Sequence, residues 1–332
     1  MRGDFLKDSD LIRSSSIAEN RRFIGIIIGI FVLAIAIGII NSKWTYYKGM
    51  PMDSTVSVDY AVEYLANPNM PQISEDNYVR YLAKAYILIG EYPDCEYFKI
   101  SANVAKNDYN WNEDFHTKDG GKYWYRFKDG KPVGKIAIDV SEFQKKIKWK
   151  KVKKAGVDIA IIRVGFRGYG SEGKLLEDEF AKKNLDGAEK AGLETGVYFF
   201  SSAINKDEGI EEAKFVLDIL KGRKLKQPVI IDTEYVAEYE EARANSISVE
   251  DRTDAVVAFC ETIEAAGYTP MIYASRDQFV KYLDIERIGK WEFWLAAYDP
   301  PIFPYHTEAY QYTPGGQVDG IETDVDLDVW MR

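Results

Sequence analysis

The sequence predicts an α/β protein whose larger part, residues 133–332, forms an irregular (β/α) TIM-like barrel. One transmembrane helix and a small membrane-proximal region are predicted before it. Three observations favour this arrangement: apolar runs alternate with helical patterns after residue 133, a buried strand leads into two carboxylates at 228–234, and residues 23–40 carry no charge. Strands that alternate with helices over about 200 residues are typical of a barrel of parallel strands.

The polar residues 1–22 are predicted to be a cytoplasmic tail, and residues 23–40 a transmembrane helix. That uncharged segment would measure about 27 Å as a helix, close to the hydrocarbon thickness of a bilayer. Basic residues are more frequent before it than directly after it, which favours a single-pass cell-membrane protein with its large domain outside the cytoplasm. A cleaved signal peptide is the alternative. The small residues Ala34 and Ala36 lie inside the apolar run rather than after it, so an uncleaved anchor is preferred.

Residues 41–132 are predicted to be a membrane-proximal spacer region. Apolar spacing predicts helices at 55–65 and 74–89, and residues 122–127 followed by Asp-Gly predict a β-hairpin. This region would lift the large domain off the membrane or contact an envelope protein partner. The sequence leaves both interpretations open.

The large domain, 133–332, contains the alternating elements. Short apolar runs predict strands at 135–140, 159–164, 195–200, 229–232, 271–273, 293–297, 310–312 and 325–329. Helical patterns between several of them predict helices at 177–191, 206–220 and 248–266. Asn205 and Ser248 each stand three residues before an acidic side chain, which is typical of a helix start.

Composition excludes some classes of function. A net charge of −10 argues against a nucleic-acid partner, because such proteins present a basic face. The two histidines have no partner pattern, and the two cysteines, Cys95 and Cys260, have no metal-ligand spacing. We therefore expect no metal and no cofactor. Whether the two cysteines pair is left open.

The strand predicted at 229–232 carries the most suggestive pair of residues. Asp232 and Glu234 are spaced i, i+2, so they project to the same side, with Cα atoms about 6.6 Å apart. Mutual repulsion and burial should raise the pKa of one of them. A carboxylic acid that keeps its proton near neutral pH, beside a carboxylate that does not, is what breaking a glycosidic bond requires.

Other candidate site residues recur at the ends of predicted strands. Asp139 ends the first strand, and Asp326 and Asp328 lie on the last. The remaining candidates are one cation and four aromatic residues, namely Arg163, Tyr198, Trp294, Tyr298 and Tyr312. Because catalytic residues of such barrels gather at the carboxyl ends of the strands, these side chains predict an acidic cleft with aromatic walls, suited to a sugar chain.

Residues 138–144, IDVSEFQ, resemble the Asp-x-Ser-x-x-Gln opening of glycoside hydrolase family 25, the lysozyme-like N-acetylmuramidases. Later motifs of that family are similar, in order, to GVYFF, DTE, WLAAY, QYT and VDLD at 196–200, 232–234, 294–298, 311–313 and 325–328. The resemblance covers 135–332 and leaves the preceding region unassigned. It implies a flattened, irregular (β/α) barrel.

The resemblance also implies a reaction, cleavage without a metal of the β-1,4 bond between N-acetylmuramic acid and N-acetylglucosamine in peptidoglycan glycan strands. Glu234 would match the general acid, and Asp232 the second carboxylate, acting as nucleophile or orienting the substrate acetamide. Further matches are acids lining the cleft and aromatic residues near the substrate, namely Asp139, Asp326, Tyr198 and Trp294.

Two positions depart from the family pattern. Many members have His where this chain has Phe199, and Asn where it has Asp328. Phe199 should face away from Tyr198, because neighbouring strand residues point to opposite sides. Asp328 adds a negative charge that would raise neighbouring pKa values.

Three other functions remain compatible with the sequence. The first is a membrane-anchored glycan-binding or scaffold protein without turnover, the second a related glycosidase acting on chitin-like or glycoprotein sugars, and the third a hydrolase subunit of a trans-envelope machine. Retaining and inverting chemistry both remain open, because carboxyl separations of about 5–5.5 Å and about 6.5–9.5 Å are within reach of side-chain rotamers.

Overall fold

The computed structural model describes residues 86–89 and 96–331, except 119, 120, 238, 299, 300 and 302. All described residues belong to one compact unit, Val79–Arg332. The predicted transmembrane segment 23–40 and the helix predicted at 55–65 lie outside the described residues. Within the described part, no helix has the length and apolar character needed to cross a bilayer.

The described residues form fourteen strands and six α-helices. The strands are β1 Tyr86–Ile89, β2 Glu96–Lys99, β3 Phe115–Thr117, β4 Trp124–Lys128, β5 Lys131–Val133, β6 Lys135–Val140, β7 Ile159–Arg167, β8 Leu175–Glu177, β9 Glu194–Ser201, β10 Val229–Thr233, β11 Pro270–Ser275, β12 Glu292–Ala296, β13 Ala309–Gly316 and β14 Val325–Trp330. The helices are α1 Trp149–Lys154, α2 Ala181–Ala191, α3 Lys206–Leu220, α4 Val249–Ala265, α5 Arg276–Lys281 and α6 Ile285–Ile288.

Eight of these strands close into the predicted barrel. The order around it is β6, β7, β9, β10, β11, β12, β13 and β14, and β14 returns to pair with β6. The first seven strands run parallel to one another, whereas β14 runs antiparallel to both of its neighbours, β13 and β6. The beginning of β14 therefore lies at the same edge of the barrel as the carboxyl ends of the other strands.

The helices largely follow the predicted pattern. The side chains of Asn205 and Ser248 accept hydrogen bonds from backbone N–H groups at the starts of α3 and α4, as their spacing predicted. The helix predicted at 177–191 starts later than predicted. Leu175–Glu177 forms β8, which pairs with the edge of β7, and α2 begins only at Ala181. No helix occurs among the described residues of 297–308 and 317–324, on either side of β13.

Residues 86–99, which belong to the region predicted to be a spacer, contain strands where a helix was expected. The prediction of a helix at 74–89 was wrong for Tyr86–Ile89, which pairs antiparallel with Glu96–Lys99. A run of β-branched and aromatic residues fits a strand once a partner strand is available. The hairpin prediction was correct: β4 and β5 join through Asp129 and Gly130, both with positive φ, as a tight hairpin turn requires.

Residues 101–133 pack on the outside of the barrel, where β13 has no flanking helix. The Trp111 indole donates to the carbonyl of Phe303 at 2.9 Å, and its ring packs edge-on against Tyr310 at 5.0 Å. Trp124 stacks on Tyr312 with ring centroids 5.1 Å apart. This segment therefore covers apolar surface that a helix covers elsewhere in the barrel, and the domain boundary predicted at 133 falls inside one compact unit.

Side chains alternate between the inside and the outside of the barrel along each strand. The inward-facing residues form a buried apolar cluster with members from seven of the eight strands, against which Tyr198 of β9 packs: Ala137, Ile159, Ile161, Ile230, Met271, Tyr273, Trp294, Ala296, Ala309 and Trp330. The outward-facing residues pack beneath the helices in a larger cluster. Because the interior cluster fills one end of the barrel, the polar side chains of the same strands lie at the other end, which is open.

Candidate active site

Four aspartates lie inside the barrel at this edge. Asp139, Asp232 and Asp328 each stand two residues from a member of the interior cluster, so they share its direction. All three are buried, with 6%, 5% and 0% of their surface exposed. Asp326, two residues before Asp328, is half-buried. The structure thus brings together the acids that the sequence singled out on β6, β10 and β14.

Glu234 directly follows β10 and is half-buried, whereas Asp232 lies within the strand. Burial raises the pKa of Asp232 well above its usual range, and the neighbouring Glu234 carboxylate adds to the effect. The charge of Arg163 acts in the opposite direction. At least one carboxyl of the pair, that of Asp232, therefore has a raised pKa, as predicted.

The aspartates of β6 and β14 form a second titrating group. Burial raises the pKa of Asp139 and of Asp328, and in both cases the charge of Asp326 adds to the shift. Burial also raises the pKa of Asp326, to about 6. These carboxyls cannot all be ionised at neutral pH, because each charge raises the energy of the next in a poorly solvated space.

Gln311 links this acidic group to two tyrosines. Its amide nitrogen donates to Asp139 Oδ2 at 2.8 Å, and its amide oxygen accepts from the hydroxyls of Tyr273 at 2.9 Å and Tyr298 at 3.1 Å. Gln311 and Tyr273 were missed as site residues, although both lie in predicted strands. Each lies two residues from an inward-facing apolar residue on the same strand, so the alternation of side chains would have placed both inside the barrel if the register had been known.

The predicted aromatic residues occupy different depths. Tyr298 is 56% exposed at the rim, and Tyr198 is half-buried beside the acids. Trp294 is only 1% exposed, and its indole donates to Asp328 Oδ1 at 2.9 Å. Trp294 therefore forms the floor beneath the acids, where it holds Asp328 in place.

Arg163 faces the interior but is bound by two acids that the sequence did not single out. Its Nε donates to Asp178 Oδ2 at 2.8 Å and its Nη2 to Glu142 Oε1 at 2.8 Å. Asp178 Oδ2 also accepts from the backbone N–H of Glu142 at 2.9 Å. This arrangement fixes a positive charge near Asp232, and it leaves Arg163 less able to turn toward a substrate.

Tyr312 does not join the site. Gln311 faces the interior, so the next residue on β13 faces outward, and Tyr312 packs against Trp124 of β4. Among the described residues, no group of His, Cys, Asp and Glu has an arrangement that would hold a metal ion. Cys260 is a buried free thiol, and Cys95 lies outside the described residues.

Residues 138–321 match the family profile described as glycosyl hydrolases family 25. The chain belongs to this family. The match covers the strands that supply the site acids from Asp139 to Glu234, and it ends just before β14. A comparison with curated proteins found no significant match.

Solved structures of other proteins share the fold. The modular autolysin LytC from Streptococcus pneumoniae is 24% identical with a TM-score of 0.55, over 74% of this chain and 61% of that chain. LytC in complex with a synthetic peptidoglycan ligand is 26% identical with a TM-score of 0.53, over 74% and 56%. A family 25 glycosyl hydrolase from Bacillus anthracis is 20% identical with a TM-score of 0.52, over 65% and 95%. The chain thus spans less than two thirds of the LytC chains.

Both departures from the family 25 pattern have a structural explanation. Phe199 lies on the outer face of the barrel wall, where it is fully buried and packs edge-on against Phe215 of α3 with ring centroids 6.0 Å apart. It therefore faces away from the site, as expected. Asp328 is fully buried and accepts the Trp294 indole N–H through one oxygen. Burial raises its pKa well above the usual range, which favours the neutral form, and that form resembles an asparagine in charge.

Proposed function

We propose that this chain is a peptidoglycan hydrolase, a muramidase that cleaves the β-1,4 bond between N-acetylmuramic acid and N-acetylglucosamine. The observation that carries the proposal is the Asp232–Glu234 pair, positioned by β10 at the edge of an acidic barrel interior. Membership of family 25 and the likeness to LytC, which has been solved with a peptidoglycan ligand, support the same substrate.

In the proposed reaction Glu234 is the general acid. The Asp232–Glu234 pair holds a proton because two adjacent carboxylates in a buried site cannot both ionise. When a glycan binds, Glu234 donates that proton to the glycosidic oxygen as the bond to the anomeric carbon breaks. Glu234 is then a carboxylate beside Asp232, and the positive charge that develops at the anomeric carbon, together with the nearby Arg163 guanidinium, stabilises the negative charge of the pair.

The anomeric carbon needs a nucleophile, and we favour the substrate's own 2-acetamido oxygen. Its attack forms a cyclic oxazolinium ion, and Asp232 accepts a hydrogen bond from the acetamide N–H. Asp232 Oδ1 is buried and has no hydrogen-bond partner among the described residues, so an N–H donor would satisfy it. Water then attacks the anomeric carbon, the bond from that carbon to the acetamido oxygen breaks to restore the acetamide, and the water gives a proton to the Glu234 carboxylate, which restores the acid with retention of configuration.

The remaining interior groups maintain this arrangement. Gln311 fixes Asp139, and the Trp294 indole fixes Asp328. Tyr298 extends the site to the exposed rim, where its ring can stack on a sugar face. In this proposal Asp139, Asp326 and Asp328 hold protons and charge beside the substrate rather than form a bond with it.

We also propose that residues 23–40 anchor the protein in the cell membrane, with the hydrolase domain on the cell-wall side. The uncharged length of that segment and the bias of basic residues before it support this arrangement. A peptidoglycan substrate requires the same side. Residues 101–133 pack on the barrel, so an envelope partner would bind this region as part of the folded domain.

The test is the release of soluble glycan from purified cell walls by the full-length chain in detergent. Glu234→Gln keeps the shape of the side chain but cannot donate the proton, so release should fall by about 10³-fold or more while wall binding persists. Glu179→Gln, at an exposed glutamate outside the site, is the matched control and should release glycan at the wild-type rate. Wall binding without release by the wild type would instead support a glycan-binding protein.

A further inference from the structure

Exposed aromatic rings are concentrated at one edge of the barrel. In the described part of the chain, five large aromatic side chains are exposed, and each lies on a segment that follows the carboxyl end of a barrel strand: Phe143, Tyr169, Tyr235, Tyr239 and Tyr298. This is the edge that carries the acidic site. A random distribution would have placed some of these rings at the opposite edge or on the outer helices.

Two of these rings come from different loops and meet. Tyr169 follows β7 and Tyr239 lies in the loop after β10, and their ring centroids are 5.4 Å apart at an interplanar angle of 50°. They are 46% and 42% exposed. Tyr239 is five residues after Glu234, so the chain between them spans at most about 17 Å. The Cα atom of Tyr239 therefore lies within about 17 Å of that of Glu234, on the edge of the barrel that carries the acids.

Arg243 holds both loops in position. Its backbone N–H donates to the carbonyl of Tyr169 at 2.9 Å, and the backbone N–H of Ala242 donates to that of Tyr239 at 2.8 Å. The Arg243 guanidinium binds both carboxylate oxygens of Glu208 on α3, each at 2.7 Å. A largely buried, bidentate ion pair is a specific way to fix a loop.

Asn245 closes the loop that carries Tyr239. Its side-chain oxygen accepts from the backbone N–H of Val236 at 2.9 Å, and its amide donates to the carbonyls of Val236 at 3.0 Å and Tyr239 at 3.2 Å. The loops that carry the two exposed tyrosine rings are therefore fixed by backbone hydrogen bonds and by part-buried side-chain contacts. A surface fixed in this way loses little entropy when it binds a ligand.

We propose that Tyr169 and Tyr239 form an outlying glycan subsite, which binds a sugar of the same strand a few units from the bond cleaved at Glu234. A phenol ring offers an apolar face to the ring hydrogens of a pyranose and a hydroxyl to its polar edge. The inference rests on the proposed function, because it requires a glycan strand as the ligand. It predicts that long strands bind more tightly than short ones.

The test compares long and short substrates. Binding of soluble, uncross-linked glycan strands is measured with the full-length Glu234→Gln protein, alone and with Tyr169→Ala or Tyr239→Ala added. Each alanine should weaken binding about tenfold, whereas Tyr169→Phe and Tyr239→Phe retain most of it. Val249→Ala, at an apolar residue with 43% exposure, is the matched control and should leave binding unchanged.

Kinetics with an intact Glu234 separate a subsite from a distorted loop. The alanine variants should raise KM for long strands about tenfold, with kcat unchanged, and should leave turnover of an oligosaccharide that fills only the cleft unaffected. Equal losses on long and short substrates would overturn the proposal, as would unaltered binding of long strands. If no variant cleaves glycan but the alanines weaken binding, the subsite stands and the hydrolase proposal fails.

Discussion

Asp326 of β14 lies opposite Asp139 of β6 in the antiparallel pair that closes the barrel. This juxtaposition exists because β14 runs against its neighbours and so brings its first residues to the carboxyl edge of the other strands. Burial raises the pKa of Asp326 to about 6, and the charge of Asp326 adds to the raised pKa of Asp139. The seam of the barrel therefore holds protons near neutral pH.

The first prediction concerns stability against pH. The pKa of Asp326 is higher in the folded protein than in the unfolded chain, so the folded state binds more protons between about pH 4 and pH 6. Its favourable contribution is full below that window and is lost as the pH rises through it. Asp326→Asn should therefore raise the free energy of unfolding at pH 7.5 by up to about 3 kcal/mol, with little effect at pH 4.

Denaturant unfolding at both pH values measures this difference. Asp218→Asn, at an exposed aspartate of α3, is the control and should change stability equally little at both. A pH-independent effect of Asp326→Asn would show that its carboxyl does not titrate with folding as described.

The second prediction concerns Asp328. Because the carboxyl is fully buried and burial raises its pKa, its neutral form is favoured, and Asp328→Asn places a neutral group of similar shape at the same position. The asparagine oxygen can still accept the Trp294 indole N–H. We expect kcat/KM at pH 6–7 within about threefold of the wild type, whereas Asp328→Leu, which removes the acceptor, should cost about 1–3 kcal/mol of stability. A tenfold loss of activity in Asp328→Asn would show that the negative charge is needed.

The third prediction concerns Gln311, which donates to Asp139 and accepts from two tyrosine hydroxyls. Gln311→Leu leaves the buried Asp139 carboxyl and the buried Tyr273 hydroxyl without this partner, and it removes the hydrogen bond that lowers the pKa of Asp139. The glycan-cleavage rate should fall at least tenfold, and the free energy of unfolding by about 1–3 kcal/mol. Gln311→Glu should also be impaired, because it adds a carboxylate beside Asp139.

The activity profile of Gln311→Leu against pH provides a second readout. If Gln311 acts only in packing, the profile keeps its shape and only its height changes. If it sets the protonation of Asp139, the profile shifts toward higher pH.

The fourth prediction concerns residues 101–133. Trp111 is buried between β13 and residues 303–307, and its indole is hydrogen bonded. Trp111→Ala should lower the free energy of unfolding of the whole barrel by about 3–5 kcal/mol in a single transition. Lys131→Ala, at an exposed residue of β5, should change it by less than about 0.5 kcal/mol. Separate unfolding of this region, before the barrel, would contradict its role as a barrel layer.

The sequence could predict the barrel and its acids because both follow from local patterns. Short apolar runs identified the eight strands, and the alternation of side chains along a strand placed Phe199 on the side opposite to Tyr198, where it packs against Phe215. Capping residues identified the starts of α3 and α4, since their hydrogen bonds form within one turn.

The failures arose where distant segments decide the outcome. Tyr86–Ile89 is a strand only because Glu96–Lys99 pairs with it, and Tyr312 faces outward because of the register of β13. The direction of β14 depends on barrel closure, and that strand supplies Asp328, which accepts the hydrogen bond of the buried Trp294 indole. Contacts between segments that are distant in the chain leave no local signal in the sequence, so the spacing of residues alone could not predict these parts of the structure.

The most direct test of the central claim is the identity of the new reducing ends in peptidoglycan treated with the full-length protein, beside Glu234→Gln. We predict N-acetylmuramic acid at the new reducing ends with the wild type, and none with the variant. Reducing-end N-acetylglucosamine would contradict the muramidase assignment, and equal cleavage by Glu234→Gln would contradict the role of Glu234 as the acid.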